Sequence, residues 1–322
     1  MKKIVITGAA GFLGSHLAKR LIAQGNQVVG LDNFSTGRME NIAELTESPL
    51  FTCITCDVSQ ETTLLHSELN EAEEIYHLAS PASPKYYQAN PFSTILVNTA
   101  GTKHMLELAK RNQAKLLFSS TSEVYGDPEV HPQPETYRGH VNTWGPRACY
   151  DEAKRLGEVL CYEYWHRYGV EVKIARIFNT YSAGLRNDDG RVISNFVTQA
   201  LACRDMTVYG DGSQTRSFCY VDDTVRALEL MMESDRATGE TINIGSPVET
   251  TIIQVAQWIK ELSHSDSRIT FSPLPADDPR LRRPVIDKAR KLLGWEPRVG
   301  LSEGLCLTIH AYRKQMALNG GD

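Results

Sequence analysis

No apolar run in this chain approaches the ~20 residues that a membrane-spanning helix requires. The N-terminus passes from Met1-Lys2-Lys3 straight into Ile4-Val5-Ile6-Thr7-Gly8, too short an apolar stretch for a secretory leader. Cysteine is sparse and irregular: seven thiols, an odd number without disulfide-framework spacing, suit a reducing, cytoplasmic setting. Cys53-x-x-Cys56 has no second Cys or His pair downstream, and the nine histidines show no metal-ligand spacing. The pair therefore reads as small hydrophobes in a strand, and no metal is expected. Neither sign of charge dominates, and a net charge of -5 gives no reason to expect nucleic acid or an anionic membrane as partner. Repeats, low-complexity tracts and a separating linker are also missing. What remains is an ordinary globular composition, 41% apolar and 23% charged, over 322 residues, enough for one large domain or two closely joined ones.

The first thirty residues carry a ligand signature. Lys3 to Thr7 reads as a buried strand, and Gly8-Ala9-Ala10-Gly11-Phe12-Leu13-Gly14 opens a helix with an apolar face of Phe12, Leu13, Leu17 and Leu21. Gln27 to Leu31 is the next strand, ended by Asp32, eighteen residues after Gly14. Strand, glycine turn, helix, strand and acid in that order mark a dinucleotide site. Gly8, Gly11 and Gly14 let the backbone approach a pyrophosphate, which sits on the helix N-terminus where free amides and the dipole favour anions. Asp32 is suited to accept hydrogen bonds from the adenosine ribose and to repel a 2′-phosphate, which favours NAD over NADP. The glycine spacing is Gly-x-x-Gly-x-x-Gly rather than Gly-x-Gly-x-x-Gly.

The alternation continues with strands at Phe51 to Thr55, Glu74 to Leu78, Lys115 to Ser119 and Val170 to Ile177, and with Asp57-Val58 placed to edge the adenine. Asn90 to Arg111 reads as one long helix with Leu96, Met105, Leu106 and Leu108 as apolar positions, and Ala148 to Tyr168 as another. After Asn179 the strands shorten. Helices are expected at Arg191 to Ala202, Thr224 to Met232, Ile252 to Leu262 and Leu301 to Met316, with one more strand at Glu240 to Ile244. The expected architecture is α/β: a Rossmann-type doubly wound parallel sheet over residues 1–178, rejoined by 239–246, and a smaller C-terminal α/β substrate lobe over 179–322.

The chemistry concentrates between Ser119 and Lys154. Tyr150 and Lys154 are four residues apart and share one helical face, where an ammonium favours the tyrosinate, lowers the phenol's pKa and makes it a usable general base. Thr121, at a strand's C-terminal end, is placed to hold the same substrate hydroxyl. Thr121 and Glu123 are two apart on an extended segment, so both are expected to face substrate while Ser122 faces away unless a turn re-aims it.

Four motifs identify a resemblance to the extended short-chain dehydrogenase/reductase family over the whole chain. They are Thr7-Gly8-x-x-Gly11-x-x-Gly14, Asn98-Thr99-x-Gly101-Thr102, Ser119-x-Thr121-x-Glu123-Val124-Tyr125-Gly126 and Tyr150-x-x-x-Lys154. Longer blocks are similar to its branch that decarboxylates UDP-glucuronate to UDP-xylose: Tyr76 to Pro84, Glu123 to Pro128, Gly145 to Glu152 and Tyr209 to Arg216. The resemblance implies a redox triad of Thr121, Tyr150 and Lys154 and an Arg282 that contacts the sugar acid, and Glu123 joins the catalytic set by its place beside Thr121 at the strand end. It implies NAD held by the glycine turn with Phe12 and Leu13, by Asp32, Asn33, Ser35, Thr36 and Gly37, and by Asp57, Val58, Leu78, Tyr150 and Lys154. It assigns Ser122, Asn179, Arg191, Tyr209, Gln214, Arg216 and Arg282 to the nucleotide-sugar, and implies a homodimer. Arg283 and Arg186 read as surface ion-pair residues.

This chain departs from the family pattern at Tyr181-Ser182-Ala183-Gly184, in place of Phe-Gly-Pro-Arg, at Leu96 in place of a lysine, and at Thr143-Trp144 in place of Pro-Ile. A 4,6-dehydratase and a 4-epimerase are the rivals within the fold. Dehydration needs an acid for the departing hydroxyl, and Ser122 stands where dehydratases place Asp. An epimerase leaves Glu123 idle, and a non-catalytic NAD-binding sensor leaves the intact triad unexplained.

Overall fold

Strand β1 (Lys3–Thr7) sends Ile4 and Ile6 into one hydrophobic cluster and Val5 into another, so both faces of the sheet it starts are covered. The computed structural model describes residues 1–185, 189–274 and 281–319. Helix α1 (Phe12–Ala23) follows the glycine turn and packs Leu17, Ala18 and Leu21 on the Ile4 face, whereas Leu13 is only half-buried and faces a cleft. Two glycines are obligatory in the turn. Gly8 has φ +72°, and a Cβ on Gly14 would lie 2.1 Å from the Gly8 carbonyl oxygen.

Strands β2 (Gln27–Asp32), β3 (Phe51–Thr55), β4 (Glu74–His77), β5 (Lys115–Thr121) and β6 (Val172–Ile177) join β1 in a parallel sheet. The small strands β7 (Thr180–Tyr181), β8 (Met206–Tyr209), β9 (Thr215–Ser217) and β10 (Cys219–Tyr220) lie outside it, and β11 (Thr241–Ile244) returns to pair with β6. The resulting order is β11-β6-β5-β4-β1-β2-β3. Succession runs outward in both directions from β1 and β4, which creates a crevice at their carboxyl ends, the usual ligand position in such sheets.

The long helix expected over Asn90 to Arg111 is broken. After α2 (Met39–Ile42) and α3 (Pro84–Ala89), α4 (Pro91–Leu96) runs into a π turn at Val97–Gly101 before α5 (Thr102–Asn112). Polar side chains account for the break: Asn98 Nδ2 donates to the Thr94 carbonyl at 2.8 Å and Thr102 Oγ1 to the Asn98 carbonyl at 2.7 Å. Met105, Leu106 and Leu108 are buried, but Leu96, on the surface helix α4, is 48% exposed rather than packed. Helix α6 (Ala148–Tyr168) buries Cys161 and Tyr164 with α5 on the Val5 face.

Beyond Asn179, α7 (Val192–Leu201) and α9 (Ile252–Ser263) pack against β8, whose parallel partner is β13 (Ile269–Ser272), α8 (Val221–Glu233) packs against β5 and β6 of the main sheet, and β12 (Glu249–Thr251) pairs antiparallel with β9. Helix α10 (Asp287–Leu293) packs against β11 of the main sheet, and α11 (Leu301–Asn319) against α7 and α9. One cluster runs from Ile4 and Ile242 in the sheet through Met231 of α8 to Phe196, Val255 and Ile309, so the same core supports both sides of the crevice.

Candidate active site

The crevice divides into two joined cavities. The first, about 180 Å³, is lined by Gly8, Gly11, Phe12, Leu13 and Gly14, by Asp32, Asn33 and Ser35 to Gly37, and by Asp57, Val58 and Leu78. Asp32 is fixed by amides, accepting from Ala10 N at 2.9 Å and Phe34 N at 2.8 Å. Burial pushes its pKa up, and the amide hydrogen bonds pull against that. A Cβ on Gly37 would stand 2.7 Å from an Asp32 oxygen, so a glycine is what lets that loop close on the carboxylate. Asp57 is held by the Ser59 amide at 2.9 Å and hydroxyl at 2.7 Å. First-turn amides of a twelve-residue helix, bare glycines beneath them and a fixed carboxylate at the end of β2 fit a dinucleotide.

The second cavity, about 460 Å³, is lined by Thr121, Ser122, Glu123, Tyr150, Lys154 and Arg282 at one end. Strand β5 stops at Thr121, and Ser122–Tyr125 form a 3-10 turn in which the Glu123 amide donates to Thr121 Oγ1 at 3.2 Å. The turn, not strand alternation, aims Glu123 inward, and it brings Ser122 into the same cavity rather than leaving it facing away.

Tyr150 and Lys154 stand on the first turns of α6. Lys154 Nζ donates to the Ser119 carbonyl at 2.6 Å and lies 6.0 Å from the Tyr150 ring centroid, while the Tyr87 ring stacks on Tyr150 at 4.9 Å. Burial pushes the Lys154 ammonium down to about 7. The expected lowering of Tyr150 does not occur in the chain alone: burial pushes its phenol up to about 12, against a hydrogen bond with Thr121 that pulls it down. Desolvation outweighs the Thr121 hydrogen bond, and the Lys154 ammonium is directed at the Ser119 carbonyl.

Glu123 sits between two guanidiniums. Arg147 Nη2 donates to it at 2.6 Å, and Arg282 Nη1 donates to its other oxygen. Burial raises its pKa, but Arg282 and Arg147 outweigh that and the net direction is down. Arg282 is 3% exposed and also donates to the Gly126 carbonyl at 2.7 Å, with Ser122 Oγ at 3.5 Å. Asp151, on the turn that carries Tyr150, is a buried carboxyl whose Oδ1 has no partner; burial, then Glu123, push it up to about 7 against the pull of Arg147.

The other expected substrate residues also line this cavity, and Arg216 lies close enough to Glu123 to help lower its pKa. Asn179 Nδ2 donates to the Ser217 carbonyl at 3.3 Å, Gln214 Nε2 to the Tyr209 carbonyl at 2.7 Å, and Arg216 Nη1 to the Thr215 carbonyl at 2.9 Å. Arg191 pairs with Asp189 at 3.0 Å and lines both cavities, marking where they meet.

The profile of the GDP-mannose 4,6 dehydratase family matches residues 5–308. The chain belongs to this dehydratase family of extended short-chain dehydrogenases. UDP-glucuronic acid decarboxylase 1 of Xenopus tropicalis is 51% identical over 315 residues, covering 98% of this chain and 73% of the relative. UDP-glucose 4-epimerase of Thermotoga maritima, solved with UDP-glucose, superposes with a TM-score of 0.90 at 31% identity, covering 98% of this chain and 99% of that one. UDP-glucuronic acid 4-epimerase of Bacillus cereus, solved with UDP-glucuronic acid and NAD, gives 0.87 at 30% identity, with the same coverage of 98% and 99%.

The departures from the family pattern have structural substitutes or none. Gly184 takes φ +104° and its carbonyl accepts from Asn41 Nδ2 at 3.1 Å, which also donates to Ala10 O at 2.9 Å, so a side-chain tie replaces a rigid proline. Tyr181 is buried and donates to the Leu301 carbonyl at 3.3 Å. Leu96 lines neither cavity, and Trp144 is 95% exposed. Arg283 pairs with Glu249 at 3.2 Å, and Arg186 lies outside the described residues. Sequence reasoning does not single out Arg147, Tyr87 or Asp151 as parts of the site. Arg147 and Asp151 both fall within the Gly145 to Glu152 block, and Arg147 stands three residues before Tyr150 at the same helix start.

Proposed function

We propose that the chain is an NAD-dependent UDP-glucuronate decarboxylase producing UDP-xylose. The observation that carries this is the Arg147–Glu123–Arg282 cluster beside Thr121 and Tyr150. Two buried guanidiniums hold one carboxylate, with Arg216 near enough to add to their pull, next to the groups that would hold a C4 hydroxyl, and a hexuronate would place its C6 carboxylate near there. The relative named UDP-glucuronic acid decarboxylase, 51% identical, supports the same reading.

NAD held in the first cavity would supply a nicotinamide whose positive ring accepts the C4 hydride, is neutral while it keeps it, and regains its charge when the hydride returns to C4. Tyr150 removes the C4 hydroxyl proton, Thr121 holds that oxygen, and Lys154 keeps positive charge near the phenolate. The C4 ketone stands β to the C6 carboxylate, so the C5–C6 bond breaks, carbon dioxide leaves and the electron pair forms a C4–C5 enolate. Tyr150, now a phenol, donates to the enolate oxygen. Protonation at C5 and reduction at C4 give the pentose. Glu123, ionised between its arginines, places a second negative charge near the departing carboxylate, and Arg282 fixes its direction.

Asn179, Tyr209, Gln214 and Arg216 hold the nucleotide end of the substrate, with Arg191 at the diphosphate. We assign residues 1–178 with 239–246 to the cofactor domain and 179–322 to the substrate lobe. Seven free thiols support a cytoplasmic location, and no helix among the described residues is long and apolar enough to cross a membrane. Exposed Leu156, Val159 and Tyr162 on α6, beside Phe92 and Ile95 on α4, support a homodimer, testable by light scattering. The deciding experiment supplies UDP-glucuronate without added reductant. Carbon dioxide with UDP-xylose is expected; a C4 epimer without carbon dioxide would overturn the proposal.

A further inference from the structure

Arg147 and Arg282 both hold Glu123, but they are not equivalent. Arg282 is the more deeply set: its side chain is 3% exposed, and it donates to Glu123, to the Gly126 carbonyl at 2.7 Å and towards Ser122 Oγ. Its backbone is tied as well, since its carbonyl accepts from Ser217 Oγ at 3.3 Å and the Gln133 amide donates to the carbonyl of the next residue at 2.9 Å. Arg147 has 13% of its side chain exposed, lines the second cavity and pairs with Glu123 at 2.6 Å. Its main chain is a fixed platform, because the Arg147 carbonyl accepts from the Tyr150 amide at 3.0 Å and the Asp151 amide at 3.1 Å. The guanidinium is thus swung from a point one helical turn before the tyrosine that would hold C4, within reach of the group carried on C5.

We infer that Arg147 is the specificity-determining residue for an anionic sugar: it holds Glu123 in the free chain and is handed to the C6 carboxylate of the bound nucleotide-sugar, while Arg282 stays behind as the fixed partner of Glu123. The inference rests on the decarboxylase reading for the identity of the sugar, and adds which cation reads its charge. The electrostatics favour such an exchange. A carboxylate entering beside Glu123 is repelled, and sharing a cation with the newcomer relieves the repulsion. Arg282 is held by Glu123 and the Gly126 carbonyl together, whereas Arg147 lines the second cavity beside Glu123. An arginine suits the handover because its planar fork bridges two carboxylates. A neutral C6 hydroxymethyl offers nothing for that fork, so the same ion pair that admits a hexuronate gives a hexose no gain.

The test uses the full-length protein with NAD in a Tyr150→Phe background, which stops turnover so that affinities can be measured by calorimetry for UDP-glucuronate, UDP-glucose and UDP. Adding Arg147→Gln is expected to weaken UDP-glucuronate about 10- to 100-fold, and the other two ligands less than about threefold. Arg147→Lys, which keeps the charge and the fold, is expected to recover part of the loss. Equal weakening of all three ligands would mean that Arg147 only shapes the cavity, and an unchanged preference for the uronate in both variants would overturn the handover. Carbon dioxide release by the wild-type protein is measured beside it. If wild type released none, the decarboxylase reading would fall, while the affinity ratios would still decide whether Arg147 reads a carboxylate.

Discussion

Asp151 gives the structure a sharp signature in the pH dependence of stability. Its side chain is buried, only 6% exposed, and one oxygen has no partner. Burial, then the charge of Glu123, push the carboxyl from 3.8 up to about 7, against the pull of Arg147 and Arg282. A folded-state pKa above the unfolded value means the folded chain holds a proton that the unfolded chain releases between about pH 4 and 7. Stability from this group therefore falls as pH rises through that window, and the whole cost is present above it. Three units at about 1.4 kcal/mol each give about 4 kcal/mol. Asp151→Asn does not titrate. The variant should match wild type near pH 4 and exceed it by roughly 2–4 kcal/mol at pH 8, the neutral amide being the cheaper group to bury. Lys154, pushed down to about 7, runs the other way, adding stability as pH rises from there towards 10.5, and it cancels because both proteins carry it. Denaturant melts of both proteins from pH 4 to 8.5, with NAD saturating, measure the difference directly. A variant-minus-wild-type difference that stays flat across that range would falsify the account of Asp151 as a buried, proton-holding carboxyl.

Three further outcomes follow from the site. Tyr150→Phe should retain NAD but lose C4 oxidation by about 10²- to 10⁴-fold, read as absent NADH absorbance on adding UDP-glucuronate; normal turnover would remove Tyr150 from the mechanism. Glu123→Gln should still show transient NADH yet lose most carbon dioxide release, and wild-type product formation would make Glu123 structural. In Asp32→Ala the repulsion of a 2′-phosphate is gone, so the ratio of NADP to NAD affinity should rise at least about tenfold; equal binding of both cofactors by wild type would refute the role of that carboxylate.

What was legible in the sequence was mostly local. The β1–glycine–α1–β2 unit is encoded within thirty-two residues, and the glycines, Asp32 and the flanking loop fall in one cavity. Tyr150 and Lys154 were legible because a helix fixes their spacing. Contacts between distant segments were not. Arg147 looks like any arginine at a helix start until the Ser122–Tyr125 turn brings Glu123 to it. Strand periodicity put Glu123 on the right side for the wrong reason, and it would have kept Ser122 out of the cavity. The pKa of Tyr150 depends on burial, which spacing does not report, so proximity to Lys154 suggested the wrong sign. Leu96 misled because a helix broken by a π turn no longer carries one continuous apolar face.

The return of β11 to the sheet has a consequence for synthesis. Until residues 241–244 leave the ribosome, β6 is an unpaired edge, a row of open amides and carbonyls beside apolar faces. Asn243 also accepts from the Tyr125 hydroxyl at 2.8 Å and donates to the Gln133 and Val285 carbonyls at 3.0 and 3.2 Å, so the loop behind the catalytic turn waits for the same residues. The first half of the chain is therefore no self-sufficient nascent unit. It must be kept from sticking to its neighbours on the polysome while about a further quarter of the protein is made, the stage at which partly formed sheets are most exposed to aggregation.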